Sequence, residues 1–216
     1  MDHAGKPWLK VLAAAAAPLV AAACATAPPP AVLTYGGAGC TPAPDLGKAI
    51  SLVPKRPRPA YAVVTALDAT APCLTRAGGP SPYRLYALPG GLETKTLTAG
   101  AVLEQARLFA PDIAVLDSQG KVTRTFSTPD YLFRGAVYSV EFRPRPADAY
   151  LLVAADPTRV GQRYDSIAIG TSTTSTYANG MALSWTSGVD AKLSRTFSYA
   201  GSVEVTVFDS AATAKR

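Results

Sequence analysis

The stretch Arg107-Leu108-Phe109-Ala110-Pro111-Asp112-Ile113-Ala114-Val115-Leu116, then Asp117-Ser118-Gln119-Gly120, then Val122-Thr123-Arg124-Thr125-Phe126, decides the fold class. The first limb is mostly apolar, with Leu108, Phe109, Ile113, Val115 and Leu116, and it stops at turn formers. The second limb is short, with β-branched residues and a closing aromatic. An apolar run, a glycine-containing turn and a second β-favouring run predict a hairpin over 108–126. Phe109 is placed to anchor a core. Pro111 has no N–H for a ladder, so it marks an edge or a bulge. Asp112 and Asp117 are placed to accept from backbone N–H groups at that bulge and at the turn.

Working outward, strand signals recur at 61–67, 83–88, 92–98, 136–142, 150–155 and 202–208. The run 83–88 is bounded by Pro82 and by Pro89-Gly90-Gly91. The run 202–208 sets Val203, Val205 and Val207 against Glu204, Thr206 and Phe208. Short strands with Gly/Pro turns and little helix predict an all-β domain over 60–216, an antiparallel β-sandwich or jelly-roll-like fold. One turn of helix is expected near 158–164. The Ser/Thr-rich stretch 170–179 has no large apolar residue before Tyr177 and reads as a mobile loop. There is no internal repeat.

The N-terminus fixes the compartment. Lys6 and Lys10 precede a 13-residue apolar run, Val11 to Ala23, which closes on Ala21-Ala22-Ala23-Cys24. This is the pattern of a secretory signal, and it is short of the roughly 20 apolar residues a spanning helix needs. The cysteine after the small residues resembles a bacterial lipoprotein signal. That resemblance implies removal of 1–23, lipidation of Cys24 and, with Ala25 in place of aspartate, an outer-membrane anchor. Residues 24–59 are Pro/Ala-rich and read as a tether, with a short helix over 46–53 ended by Pro54, Pro57 and Pro59.

Composition then excludes whole classes of chemistry. The single histidine, His3, leaves with the signal, so the mature 193 residues carry no imidazole. Ser-His-Asp and Cys-His catalysis and histidine-ligated metals fall away. Cys40 and Cys73 remain, and an exported chain favours their pairing over two free thiols. Nothing completes a zinc site. The mature chain holds 19 basic and 14 acidic residues. The basic ones are dispersed apart from Lys55-Arg56-Pro57-Arg58 and Arg143-Pro144-Arg145, short of a nucleic-acid patch. No cofactor and no metal are expected.

For binding, the candidate carbohydrate site is Trp185, the only mature tryptophan, with Tyr177, Asn179 and Asp190 near it in sequence. It supplies a ring for a sugar face and polar groups for hydroxyls. The alternative is that Trp185 packs on the sandwich and Tyr177 caps a loop. Tyr131 and Phe133 beside Asp130 form a second aromatic pair, read as packing. Glycoside hydrolysis needs two carboxyls facing across roughly 5–9.5 Å. Asp112/Asp117 and Asp130/Glu141 are only sequence neighbours, so no catalytic residue is assigned. Asp117-Ser118-Gln119-Gly120 lacks the repeated acids of a calcium loop. Gly78-Gly79 and Gly90-Gly91 sit beside prolines in turns.

The run Phe109-Ala110-Pro111-Asp112-Ile113-Ala114-Val115-Leu116-Asp117, with Phe126 and Pro129-Asp130-Tyr131-Leu132-Phe133, resembles the maltose operon periplasmic protein family. Tyr83 to Pro89, Thr94 to Leu97 and Tyr150 to Ala155 fit the same pattern, over about residues 45–165. The resemblance implies an exported, non-catalytic protein linked to maltose and maltodextrin uptake. The expectation is a periplasmic lipoprotein accessory to carbohydrate transport, holding an oligosaccharide or contacting a transporter component. The alternative is a structural cell-envelope protein that contacts cell wall or outer-membrane partners.

Overall fold

The computed structural model describes residues 27–36, 39–178 and 181–213. The signal segment 1–23 and the lipidation position Cys24 lie outside the described residues. In chain order the strands are β1 (Ile50–Ser51), β2 (Ala60–Leu67), β3 (Cys73–Arg76), β4 (Gly79–Ala87), β5 (Lys95–Val102), β6 (Arg107–Phe109), β7 (Pro111–Leu116), β8 (Val122–Thr125), β9 (Leu132–Arg134), β10 (Val137–Phe142), β11 (Tyr150–Ala155), β12 (Arg163–Ala178), β13 (Met181–Ser198) and β14 (Gly201–Asp209). A short helix, Ser210–Thr213, follows.

The fold is an all-β sandwich. One sheet runs β1-β4-β11-β7-β8, with β3 also on β4; the other runs β2-β14-β5-β10-β9. A third assembly, β12-β13-β6, is a long ribbon rooted on one short strand. Pairing is antiparallel except for β1 on β4 and β13 on β6. The period-2 pattern explains the stacking. Leu97, Ala99 and Ala101 of β5, Val203, Val205 and Val207 of β14, and Tyr138, Val140 and Phe142 of β10 face inward. They share one buried cluster with Tyr86, Ile113, Val115, Leu151 and Val153 of the opposing sheet.

The opposing sheet is covered on its other face too. Leu74, Tyr83, Leu85, Ala114, Leu116, Leu152 and Ala154 form a second cluster under Leu46 and Ala49. Burial on both faces is why β7 and β11 read as near-continuous apolar runs and not as alternations. Within β5, a Cβ added at Gly100 would lie 2.1 Å from the Tyr138 carbonyl oxygen and 2.5 Å from Ser139 Cα. β5 and β10 therefore meet at a spacing only glycine permits.

Four expectations change. First, the tether shortens. Cys40 and Cys73 form a disulfide, Thr41 donates to the Cys73 carbonyl at 2.9 Å and accepts from Thr75 at 2.9 Å, and Leu52 is fully buried. Second, the helix over 46–53 is one 3-10 turn, Leu46–Lys48, with Asp45 accepting from the Gly47 N–H. Ile50 and Ser51 then go extended to pair with β4. Third, the expected strand 107–116 is two strands in different sheets. The break is at Ala110, whose N–H donates to Ser198 and whose carbonyl accepts from Asp156. Pro111 needs no bulge, because β8 joins β7 only from Ala114 onward. Fourth, the stretch 170–179 read as a loop is β-structure through Ala178. β12 and β13 pair without a break from Arg163↔Thr196 to Ala178↔Met181. Threonine favours strands, and a ribbon satisfies its backbone without needing large apolar residues on both of its strands.

Candidate functional site

The ribbon carries the residues singled out for sugar binding, and its register separates them. Trp185 lies opposite Thr174, Tyr177 opposite Ala182 and Asp190 opposite Ile169. Successive strand positions alternate faces, so positions 177 and 190 share one face and 185 belongs to the other. Along the ribbon, the pairs at 182 and 190 are about 27 Å apart at ~3.4 Å per residue. Asn179 lies outside the described residues. The ladder therefore does not bring Trp185, Tyr177 and Asp190 to one point.

The second aromatic pair is packing, as expected. Tyr131 is 6 % exposed, and its hydroxyl accepts from the Ile113 N–H at 3.0 Å. Burial pushes that hydroxyl well above its ordinary range. Tyr131 and Phe133 lie 5.3 and 5.0 Å from the Tyr138 ring, and Tyr164 and Phe197 join the cluster. Arg159 closes it. Its guanidinium is 4.2 Å from the Phe197 ring centre and donates to the Tyr138 hydroxyl at 3.1 Å. This cage is filled by the chain's own cation.

The carboxylates are committed one by one. Asp112 pairs with Arg76. Asp117 accepts from the Gln119 and Lys121 N–H groups at 2.9 Å each, which sets the hairpin turn. Asp130 accepts from the Ser127 N–H at 2.7 Å, capping a 3-10 turn. Glu141 pairs with Arg134 at 3.3 Å. These partners are cations, backbone donors and, for Asp130, the Ser127 hydroxyl at 2.9 Å, which is the chemistry of turns and ion pairs.

A cleft of about 420 Å³ was not visible in the sequence. It is lined by Tyr35, Asp68, Arg107, Tyr199 and Ser202 among others. The N-terminal segment builds one wall. Val32 donates to Ser198 Oγ at 2.8 Å and accepts from the Tyr199 N–H at 2.9 Å. Tyr35 donates to the Ala71 carbonyl, and the Tyr35 and Tyr199 rings are 6.0 Å apart. Burial, with Asp68 nearby, raises the Tyr35 hydroxyl above its ordinary range. Asp68 is held below the ordinary carboxylate range because it accepts from Thr70 Oγ1 at 2.6 Å and from the Thr70 N–H at 2.8 Å. Arg107 is bound to Glu104 at 2.5 Å. The one sequence signal was Tyr35 itself, an aromatic ring in a stretch of tether composition.

What remains open at the level of the backbone is the ribbon. Among the described residues, beyond the three β13 residues that pair with β6, neither strand pairs with anything but the other. Its described polar positions Asp165, Ser175, Ser184 and Ser194 are exposed. No family model, no curated protein and no solved structure matches this chain. The resemblance to the maltose operon family stands on its quoted residues alone.

Proposed function

We propose that this protein is a non-catalytic component of the cell envelope, exported on its N-terminal signal and anchored through Cys24, which works by contact through the β12–β13 ribbon. One observation carries the reading: a ribbon of sixteen consecutive residue pairs whose outer edges have, among the described residues, no strand partner over most of their length. A two-stranded ribbon is marginal alone in water, and open edges are templates for pairing. Persistence of such an element is explained by a surface that covers it. The engaged carboxylates and the histidine-free mature chain agree with contact and not catalysis.

The test replaces residues 166–193 with an Asn-Gly turn. The sandwich, with its two clusters and its disulfide, retains its melting transition, and the envelope-bound complexes of the parent chain disappear. Complexes that persist without the ribbon contradict the proposal.

A second reading, accessory to maltodextrin uptake, is favoured by the 109–133 motif together with the Tyr35–Tyr199 cleft. Calorimetric titration with maltodextrins of increasing length tests it. Saturable heat that Tyr35→Ala abolishes supports it, and the absence of heat at every chain length removes it.

A further inference from the structure

The two sheets of the sandwich end in strand edges, and one edge is unguarded. β1 and β9 are two and three residues long. β3 and β8 carry Arg76 and Arg124. β2, at the end of the β2-β14-β5-β10-β9 sheet, runs for eight residues with no charge, no proline and no register shift. Soluble sheets avoid such an edge, because its free N–H and C=O groups pair with another strand. The ladder shows which groups those are. The Asp209 N–H donates to the Pro59 carbonyl at 2.8 Å, so 59 and 209 form a bonded pair. Bonded and non-bonded pairs alternate along an antiparallel ladder. Tyr61, Val63 and Thr65, opposite Val207, Val205 and Val203, therefore commit their backbone groups to β14. Ala60, Ala62, Val64 and Ala66 turn theirs to the open edge. Among the described residues only Arg84 reaches them, donating to the Ala66 carbonyl at 2.7 and 3.0 Å. That oxygen has a second lone pair. All four residues are exposed, Val64 at 59 %.

The flanks select the occupant. Lys55, Arg56 and Arg58 stand exposed before the strand, and Asp68 stands exposed directly after it. A parallel copy would set cations against cations. An antiparallel copy sets the basic start of each β2 against the acidic end of the other. In the one register that pairs all four free residues, Ala62 takes Val64 of the second copy and Ala60 takes Ala66. Counting on in that register brings Arg58 to Asp68 at both ends. It also puts Val63 against Val63 on the two-fold axis and Tyr61 against Thr65, on the face where Val63 already packs on the core. Such an isologous contact is the commonest way for a chain to meet its own copy.

We propose that β2 is a dimerisation edge. Two copies of the chain join antiparallel through Ala60–Leu67, and their β2-β14-β5-β10-β9 sheets become one continuous sheet across the two-fold axis. This contact is separate from the ribbon, and its failure leaves the ribbon reading untouched.

The test traps the register with single cysteines in the full chain under mild oxidant. Bridged peptides are identified by mass spectrometry, so that a bridge through Cys24 is not counted. Non-bonded antiparallel neighbours lie about 4.5 Å apart at Cα, within reach of a disulfide, whereas Cα atoms more than about 7 Å apart are not. Val63→Cys meets its own mate on the axis and is expected to bridge. Val64→Cys faces Ala62, with its mate two residues further along, and is expected to bridge at least about tenfold less. Val64→Lys probes the same edge without a cysteine. Because the position is exposed, the melting transition is kept, while sedimentation shifts from dimer to monomer. A parent chain that sediments as a monomer at every concentration overturns the proposal. Equal bridging at 63 and 64 overturns it, as does a Val64→Lys variant that is still a dimer. Adducts of a photo-reactive residue at Ala62 with a different protein, and none with a second copy, give the edge to another occupant and overturn it too.

Discussion

Removing the Cys40–Cys73 bridge, by Cys40→Ser with Cys73→Ser, tests how the N-terminal segment is held. The two cysteines are 33 residues apart, so the bridge closes a loop that contains β1 and β2. In the chain-entropy treatment such a loop restricts the unfolded chain by about 3.7 kcal/mol at 25 °C. The native side changes little. Thr41 keeps its hydrogen bonds to Cys73 and Thr75 through the backbone, and Leu52 keeps its fully buried place. For a domain of this size each kcal/mol shifts the midpoint by about 2–4 °C, giving a drop of roughly 7–15 °C. Urea melts followed by circular dichroism read the same quantity, with a steeper slope for the variant, because its unfolded chain exposes more surface. A loss under about 1 kcal/mol would show that the unfolded chain is already restricted there and would refute the entropic account.

Gly100→Ala forces β5 and β10 apart, since the new methyl meets backbone at 2.1 Å; a loss of about 3 kcal/mol or more in urea melts is expected, and a neutral substitution would mean that the close approach is absent in solution. Arg159→Met empties the aromatic cage of its cation and of its bond to Tyr138. It is expected to cost about 1–2 kcal/mol and to change the near-ultraviolet tyrosine spectrum, whereas an unchanged spectrum would contradict the packing. Thr70→Val removes the hydroxyl that Asp68 accepts from, so the Asp68 carboxyl titrates closer to its ordinary range by carbon-detected NMR; an unmoved midpoint refutes the assigned cause. Burial pushes Tyr86 up to about 12, against hydrogen bonding with Thr65. Its folded value lies above its unfolded one, so its contribution to stability is complete below pH ~10 and falls as pH rises towards 12. Alkaline difference spectra that show Tyr86 ionising near pH 10 in the folded protein would contradict this.

Much of the sandwich was legible because its strands obey the period-2 rule. The alternation in 202–208 placed Val203, Val205 and Val207 inward, where they are buried, and of the hairpin expected over 108–126 the part from Pro111 onward is β7 and β8, while Leu108 and Phe109 belong to β6 in another sheet. Misread segments were those whose fate is decided by partners far away in sequence. Ala110 gives no local sign that its N–H is committed to Ser198, and the stretch around Tyr35 looked like tether because its packing depends on Ser198, Tyr199 and Ala71. The ribbon was missed for a different reason. Polarity at 170–179 argues locally against structure, whereas the partner strand that makes sense of that stretch is β13. The same mistake collected Trp185, Tyr177 and Asp190 by nearness in sequence, and the ladder disperses them over two faces.

The measurement that tests the central claim most directly is photo-cross-linking in intact cells. A photo-reactive residue is placed at Ser184 or Ser175, paired positions on the exposed face of the ribbon. The control is Val122, 51 % exposed on β8. Discrete envelope adducts from the ribbon positions and none from Val122 are the predicted result. No adducts from the ribbon, or the same adducts from Val122, would contradict the account.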